Sequence, residues 1–121
     1  MLPLGGVRVL AVEGYGAGPF GSAHLADLGA EVIKIEQRTG GGDVSRGVGP
    51  YFLGADDSHF FQALNRNKKS LTLDLKHARG KEILKLEILA EMNRIIFSGD
   101  DAKTDPKGVA TGVLFTTFLV Q

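Results

Sequence analysis

The stretch VRVLAVEGYGAGPFGSAHLADLGAEVIKIE, residues 7–36, decides how this chain folds. Val7–Glu13 is a β-branched apolar run that stops at glycines, the pattern of a buried strand. A glycine turn, Gly14–Gly18, follows. Pro19–Gly29 then reads as a short helix, with proline suited to its first turn and Gly29 to its C-terminal cap. Phe20, Ala23, Leu25, Ala26 and Leu28 give that helix a packing face. Glu31–Glu36 reads as a second strand, joined by a very short link. Strand, turn, helix and strand make a β-α-β unit, whose strands are expected to run parallel through a right-handed crossover.

Working outward, residues 37–57 form a glycine-rich polar connection of a length that is seldom structureless inside a compact domain unless it is functional or disordered. Ser58–Asn65 reads as a turn or two of helix with Ser58 as N-cap. In Leu71–Leu75 three leucines share one face, which predicts a strand with one buried side. Ala78–Met92 has the strongest helical pattern, with Ile83, Leu84, Leu86, Ile88 and Leu89 as its apolar surface. Arg94–Ser98 reads as a fourth strand. A polar, turn-rich stretch follows, and an apolar, strand-like run closes the chain at residues 109–120.

Gly16, Gly18 and Gly21 satisfy G-x-G-x-x-G, and Glu36 follows twenty positions after the first of them. That is the outline of a dinucleotide fingerprint. Proline argues against it. Successive backbone N–H groups must face the pyrophosphate, and Pro19 removes a donor there. Three readings stay open at this point: an NAD site, a turn that only packs strand on helix, and a turn for another anionic ligand.

The 121 residues suit a single domain, and the 43% apolar content is ordinary for a globular protein. Fourteen basic and fourteen acidic side chains cancel, so no overall field draws the chain to nucleic acid or an anionic membrane. Cysteine is absent, which removes disulfides, thiolate catalysis and cysteine-ligated zinc. His24, His59 and His77 are isolated, so no metal site is expected. The N-terminus lacks the charged and apolar regions of a signal peptide, and the apolar run at 113–120 falls far short of the roughly 20 residues that span a bilayer. A cytoplasmic location is the expectation.

Several stretches resemble family III CoA-transferases, the group of formyl-CoA, carnitine-CoA and succinyl-CoA transferases and α-methylacyl-CoA racemases. PLGGVRVL (3–10) resembles the family's opening strand. AGPF (17–20) with LADLGAEVIKIE (25–36) resembles its first turn, helix and second strand. GGDVSRG (41–47) with Gly49-Pro50 resembles its glycine-rich loop, and LNRNKKSLTLDLK (64–76) the approach to its third strand. Their order and spacing cover the chain almost continuously to about residue 91.

The resemblance implies coenzyme A contacts at Gly16 and Ala17 in the turn, at Arg38 after the second strand, and at Leu73, Leu75 and Lys76 around the third. Gln37 stands where the family often has arginine, with Arg38 next. Coenzyme A carries a pyrophosphate and a 3′-phosphate, so cations are needed within reach. Arg66, Lys68 and Lys69 cluster before the third strand, and Arg46 is a further candidate.

The family's catalytic aspartate lies beyond the stretches matched here, and it acts through an acyl-enzyme anhydride. No catalytic residue is therefore expected in this chain. Asp100, Asp101 and Asp105 sit in a polar turn where aspartates are usually solvated. The expected fold is α/β, a Rossmann-like three-layer fragment with a mostly parallel sheet over residues 1–99, followed by a divergent tail at 100–121. The expected function is that of a CoA-transferase-like chain that binds CoA or acyl-CoA without catalysing transfer by itself. The alternatives are a self-associating structural module and a small NAD-binding domain. Because family members are interlocked dimers, a homodimer is expected.

Overall fold

Strand β1, Arg8–Val12, runs beside β2, Glu31–Glu36, in parallel, with Arg8 opposite Glu31 and Val12 opposite Ile35. Between them lies helix α1, Ala17–Asp27. This computed structural model describes residues 1–37 and 39–97, the last seven by backbone alone. Helix α1 begins two residues before the expected Pro19, which becomes the third helical position. The first amides of a helix have no intrahelical acceptor, so proline costs nothing there.

At its other end α1 closes as expected. Gly29 is left-handed at φ +100° and donates to the Ala26 carbonyl, while Ala30 donates to that of Leu25. This double bond pattern satisfies carbonyls the helix leaves open, and it needs glycine. A Cβ on Gly29 would also fall 2.5 Å from that of Leu2. Ala11, Ala26, Ala30 and Val32 are buried together here, with Val9 and Leu4 against them. Small side chains let the helix lie close on the sheet.

The connection from 37 to 57 is not structureless. It holds a 3₁₀ turn, Val44–Gly47, and then a short antiparallel hairpin of β3, Phe52–Gly54, and β4, Asp57–Ser58. Helix α2, His59–Asn65, starts from Ser58, whose side chain accepts the Phe61 N–H at 3.1 Å, as an N-cap should.

Strand β5 occupies Lys69–Thr72 rather than Leu71–Leu75 and pairs in parallel with β2, Ile33 opposite Lys69. The sheet order is β1-β2-β5. The expected leucine face is not fully buried: Leu71 is 44% exposed, and Leu73 and Leu75 are half-buried. The Leu73 N–H makes a last bond to the Glu36 carbonyl at 2.8 Å. A parallel sheet with helices remains, as the alternation in the sequence implied.

The chain divides into a unit of Met1–Asp74 and a second of Leu75–Gln121. The second contains helix α3, Ala78–Phe97. It absorbs residues 94–97 of the expected fourth strand; with only Asn93 between the expected helix and strand, helix propagation along a continuous ladder wins over a short β-branched run. On α3, Leu84 is buried, while Ile83 and Leu86 are exposed. The expected strand-like tail and the three tail aspartates lie outside the described residues, as does Arg38.

Candidate functional site

Three acidic side chains gather at the carboxyl ends of β1 and β2: Glu13, Glu36 and Asp43. Period-two alternation along β2 places Val32, Lys34 and Glu36 on one face. Lys34 is therefore carried inside, 1% exposed, where a bare ammonium is costly. It meets Asp43 Oδ2 at 2.6 Å and Glu13 Oε1 at 3.8 Å. The first contact is a close, buried ion pair. Asp43 Oδ1 is fully used: the Tyr15 N–H, the Ser45 N–H and the Ser45 hydroxyl all donate to it, at 2.8–2.9 Å.

Glu36 is 4% exposed and equally occupied. Arg46 grips it with two parallel bonds of 2.8 and 2.7 Å, and the Ser70 hydroxyl and the Asp43 N–H donate as well. The guanidinium lies 3.7 Å above the Phe61 ring, a cation–π stack. Burial raises the Glu36 carboxyl, but Arg46, Ser70 and the Asp43 amide outweigh it and hold it at about 2. Burial likewise raises Asp43; Lys34 and the amides of Ser45 and Tyr15 bring it to about 2.

Helix α1 starts directly above this layer. Gly16 is its N-cap residue and Ala17 its first helical residue; no side chain caps it and its first turn has no acid. The N–H groups of Ala17 and Gly18 precede the first intrahelical bond, which Phe20 makes to the Gly16 carbonyl at 2.8 Å. Such an end favours an anion. An open depression of about 230 Å³ also lies at the carboxyl ends of β2 and β5, lined by Gln37, Gly41, Gly42, Arg46 and Thr72.

The glycines have other roles than a dinucleotide fingerprint assigns. A Cβ on Gly18 would stand 2.9 Å from that of Glu13, so that glycine serves close packing. Gly16 and Gly21 have open space around them. The fingerprint also needs an acid free for a ribose hydroxyl, and both oxygens of Glu36 are already taken.

The expected site residues separate. Gly16, Ala17 and Leu73 lie at the carboxyl ends of the strands. Lys68 does not face outward: its ammonium donates to Glu13 Oε1, the Pro19 carbonyl and Asn65 Oδ1, with the side chain 2% exposed. Burial lowers its pKa from the ordinary lysine value, against the pull of Glu13. Arg66 pairs with Asp27 at the end of α1. Lys69 pairs with Glu31 at the amino end of the sheet, beside Arg8. Arg46 is held by Glu36. Leu75 and Lys76 open the second unit. Glu13, Lys34 and Asp43 were not picked out from the sequence, although Lys34 carried a signal: it stands in phase with Val32 on a strand face meant for the interior.

These features define an α/β protein whose parallel strands end in a glycine turn, an uncapped helix and a buried layer of paired charges. The chain belongs to CoA-transferase family III, whose profile matches residues 4–91. It is 48% identical over 85 residues to the succinyl-CoA:glutarate CoA-transferase of Mus musculus, covering 70% of this chain and 19% of that protein. To the formyl-CoA:oxalate CoA-transferase of Rhodopseudomonas palustris it is 47% identical over 81 residues, 67% of this chain and 19% of the relative. Among solved structures, a CAIB/BAIF family protein from Brucella suis superposes with a TM-score of 0.64 at 30% identity, over 89% of this chain and 30% of that one. The chain thus spans about a fifth of the length of the curated relatives it matches.

Proposed function

We propose that this chain supplies a coenzyme A-binding turn of a family III CoA-transferase, and that by itself it binds CoA or acyl-CoA without carrying out transfer. The observation that carries the reading is the start of α1. An uncapped helix, with no acid in its first turn, follows β1 at the carboxyl edge of a parallel sheet, in a chain of this family. Crevices at that edge are where open α/β sheets take ligands. The Ala17 and Gly18 amides would face a phosphate oxygen, and Gly16 leaves room for its approach. Lys68, the cluster's cation beside α1, is held by Glu13 and the Pro19 carbonyl, so the binding rests on backbone donors more than on the lysine cluster. Calorimetric titration of the chain with CoA, with NAD as control, tests this. Saturable CoA binding without NAD binding supports it, and NAD binding alone overturns it.

A second reading is self-association. Among the described residues β1 and β5 each lack one neighbouring strand, and open strand edges are templates for pairing. Mass measured by light scattering across a dilution series separates the two, since a concentration-independent monomer would rule out the pairing.

A further inference from the structure

Tyr15 adopts the left-handed conformation, φ 66°, in the turn between β1 and α1. A bulky residue there is uncommon and persists only where its surroundings insist on it. Two side chains surround it: the Phe60 ring lies with its centroid 5.6 Å from that of Tyr15, and Asp43 takes the backbone. The Tyr15 N–H points to Asp43 Oδ1 at 2.9 Å across 28 residues of chain. Asp43 itself is fixed from two directions. Its own N–H donates to Glu36 Oε2 at 2.9 Å, and its second oxygen faces the Lys34 ammonium at 2.6 Å. Lys34 and Glu36 both belong to β2, the central strand of the sheet. The path from sheet to turn is therefore short: β2, Asp43, Tyr15, then Gly16 and Ala17.

We infer that Asp43 is the positioning residue of the ligand turn, holding the Tyr15 amide so that the Gly16–Ala17 backbone is set before ligand arrives. The inference rests on the proposal that this turn binds coenzyme A. Asp43 touches no ligand; it acts through Tyr15. Its charge matters as well as its shape. In D43N one oxygen still accepts from Tyr15, but the new amide must face the Lys34 ammonium, donor against donor. The side chain then leaves one partner or the other. Preorganised backbone donors bind at lower entropic cost than mobile ones, so loosening the turn weakens binding without removing any contact to the ligand.

The experiment is a CoA titration of the full chain and of its D43N and Y15G variants, singly and together. Glycine holds a positive φ without help, so Y15G frees the turn from its dependence on Asp43. The expected result is an affinity loss on the order of tenfold for D43N, matching one hydrogen bond to a charged group. In the Y15G background that loss shrinks to within about twofold. A merely structural Asp43 would give the same loss in both backgrounds, or lower thermal stability with affinity intact, and either outcome overturns the inference. Should D43N fail to fold, amide hydrogen exchange in the unaltered chain decides. A Tyr15 N–H protected as strongly as that of Ser45, which shares its acceptor, supports the inference, and an unprotected one overturns it. An unaltered chain that takes up no CoA overturns the coenzyme reading and the inference resting on it. CoA uptake that D43N leaves within twofold overturns the inference alone.

Discussion

The two ends of the sheet hold the same kinds of side chain under opposite conditions. At the amino end Glu31 sits between Arg8 and Lys69, and Lys69 is 70% exposed. At the carboxyl end Glu13, Glu36 and Asp43 face Lys34, Arg46 and Lys68, and the ammonium groups of Lys34 and Lys68 belong to side chains only 2% exposed. Water screens the first group and stands in for any partner that is lost. It does neither for the second. Counting charges along the chain therefore says little about which of them hold it together. Where the sheet carries each one decides.

The sharpest way to break the comparison is K34M. It leaves Asp43 and Glu13 facing each other with less compensation, and should cost about 3–5 kcal/mol in urea unfolding. A cost no greater than that of a surface change would mean the carboxyl-end layer is as wet as the amino end.

Acid comes next. Glu36 and Asp43 lie at about 2 in the folded chain, against ordinary values of 4.5 and 3.8. Both are depressed, so the unfolded chain takes up protons first as pH falls. The stability they contribute is complete above about pH 5 and is lost as pH drops through 2, on the order of 2–3 kcal/mol for each group. A stability that stays flat from pH 5 to pH 2.5 would contradict their pairing.

Gly18→Ala and Gly21→Ala sharpen the contrast from the backbone side. The first pushes a methyl toward Glu13 and should destabilise by about 1–3 kcal/mol. The second adds a methyl in open space inside α1 and should stabilise by roughly 0.5–1 kcal/mol. Thermal melts of the pair would show opposite signs. A dinucleotide turn, which needs its third glycine for helix packing, would not.

The smallest effect belongs to the exposed pairs. R66Q and K69Q should leave the unfolding midpoint within the scatter of the measurement, because both pairs are solvated and screened. CoA affinity should also stay unchanged. A marked loss in either variant would return these cations to the ligand site.

The β-α-β unit was legible because its signals are local: a two-residue period, a glycine at each turn, a proline in a first turn. The start of α1 was misjudged by two residues since proline marks a first turn but not a first residue. Strand β5 slid toward the lysines because register is set by pairing with β2, which leaves no mark in Leu71–Leu75 itself. The cluster of Arg66, Lys68 and Lys69 looked like one patch, yet left-handed Asn67 (φ 61°) turns the chain between the first two, strand alternation parts Lys68 from Lys69, and only their partners, 38 to 55 residues away, reveal it. Asp43 was hidden for the same reason. It reads as a loop aspartate until Lys34 arrives beside it from β2 and Tyr15 from the turn after β1.

Burial of the ammonium groups has a consequence for chemistry at lysine. Acyl thioesters and anhydrides modify amines that are both exposed and unprotonated. Lys34 and Lys68 lie behind the turn at 2% exposure and should escape acetic anhydride in the folded chain, while Lys69 at 70% should react. Peptide mapping before and after denaturation would show the two spared positions becoming reactive only when the fold is lost. The fold thus keeps its two buried lysines out of reach of acylating reagents that find Lys69.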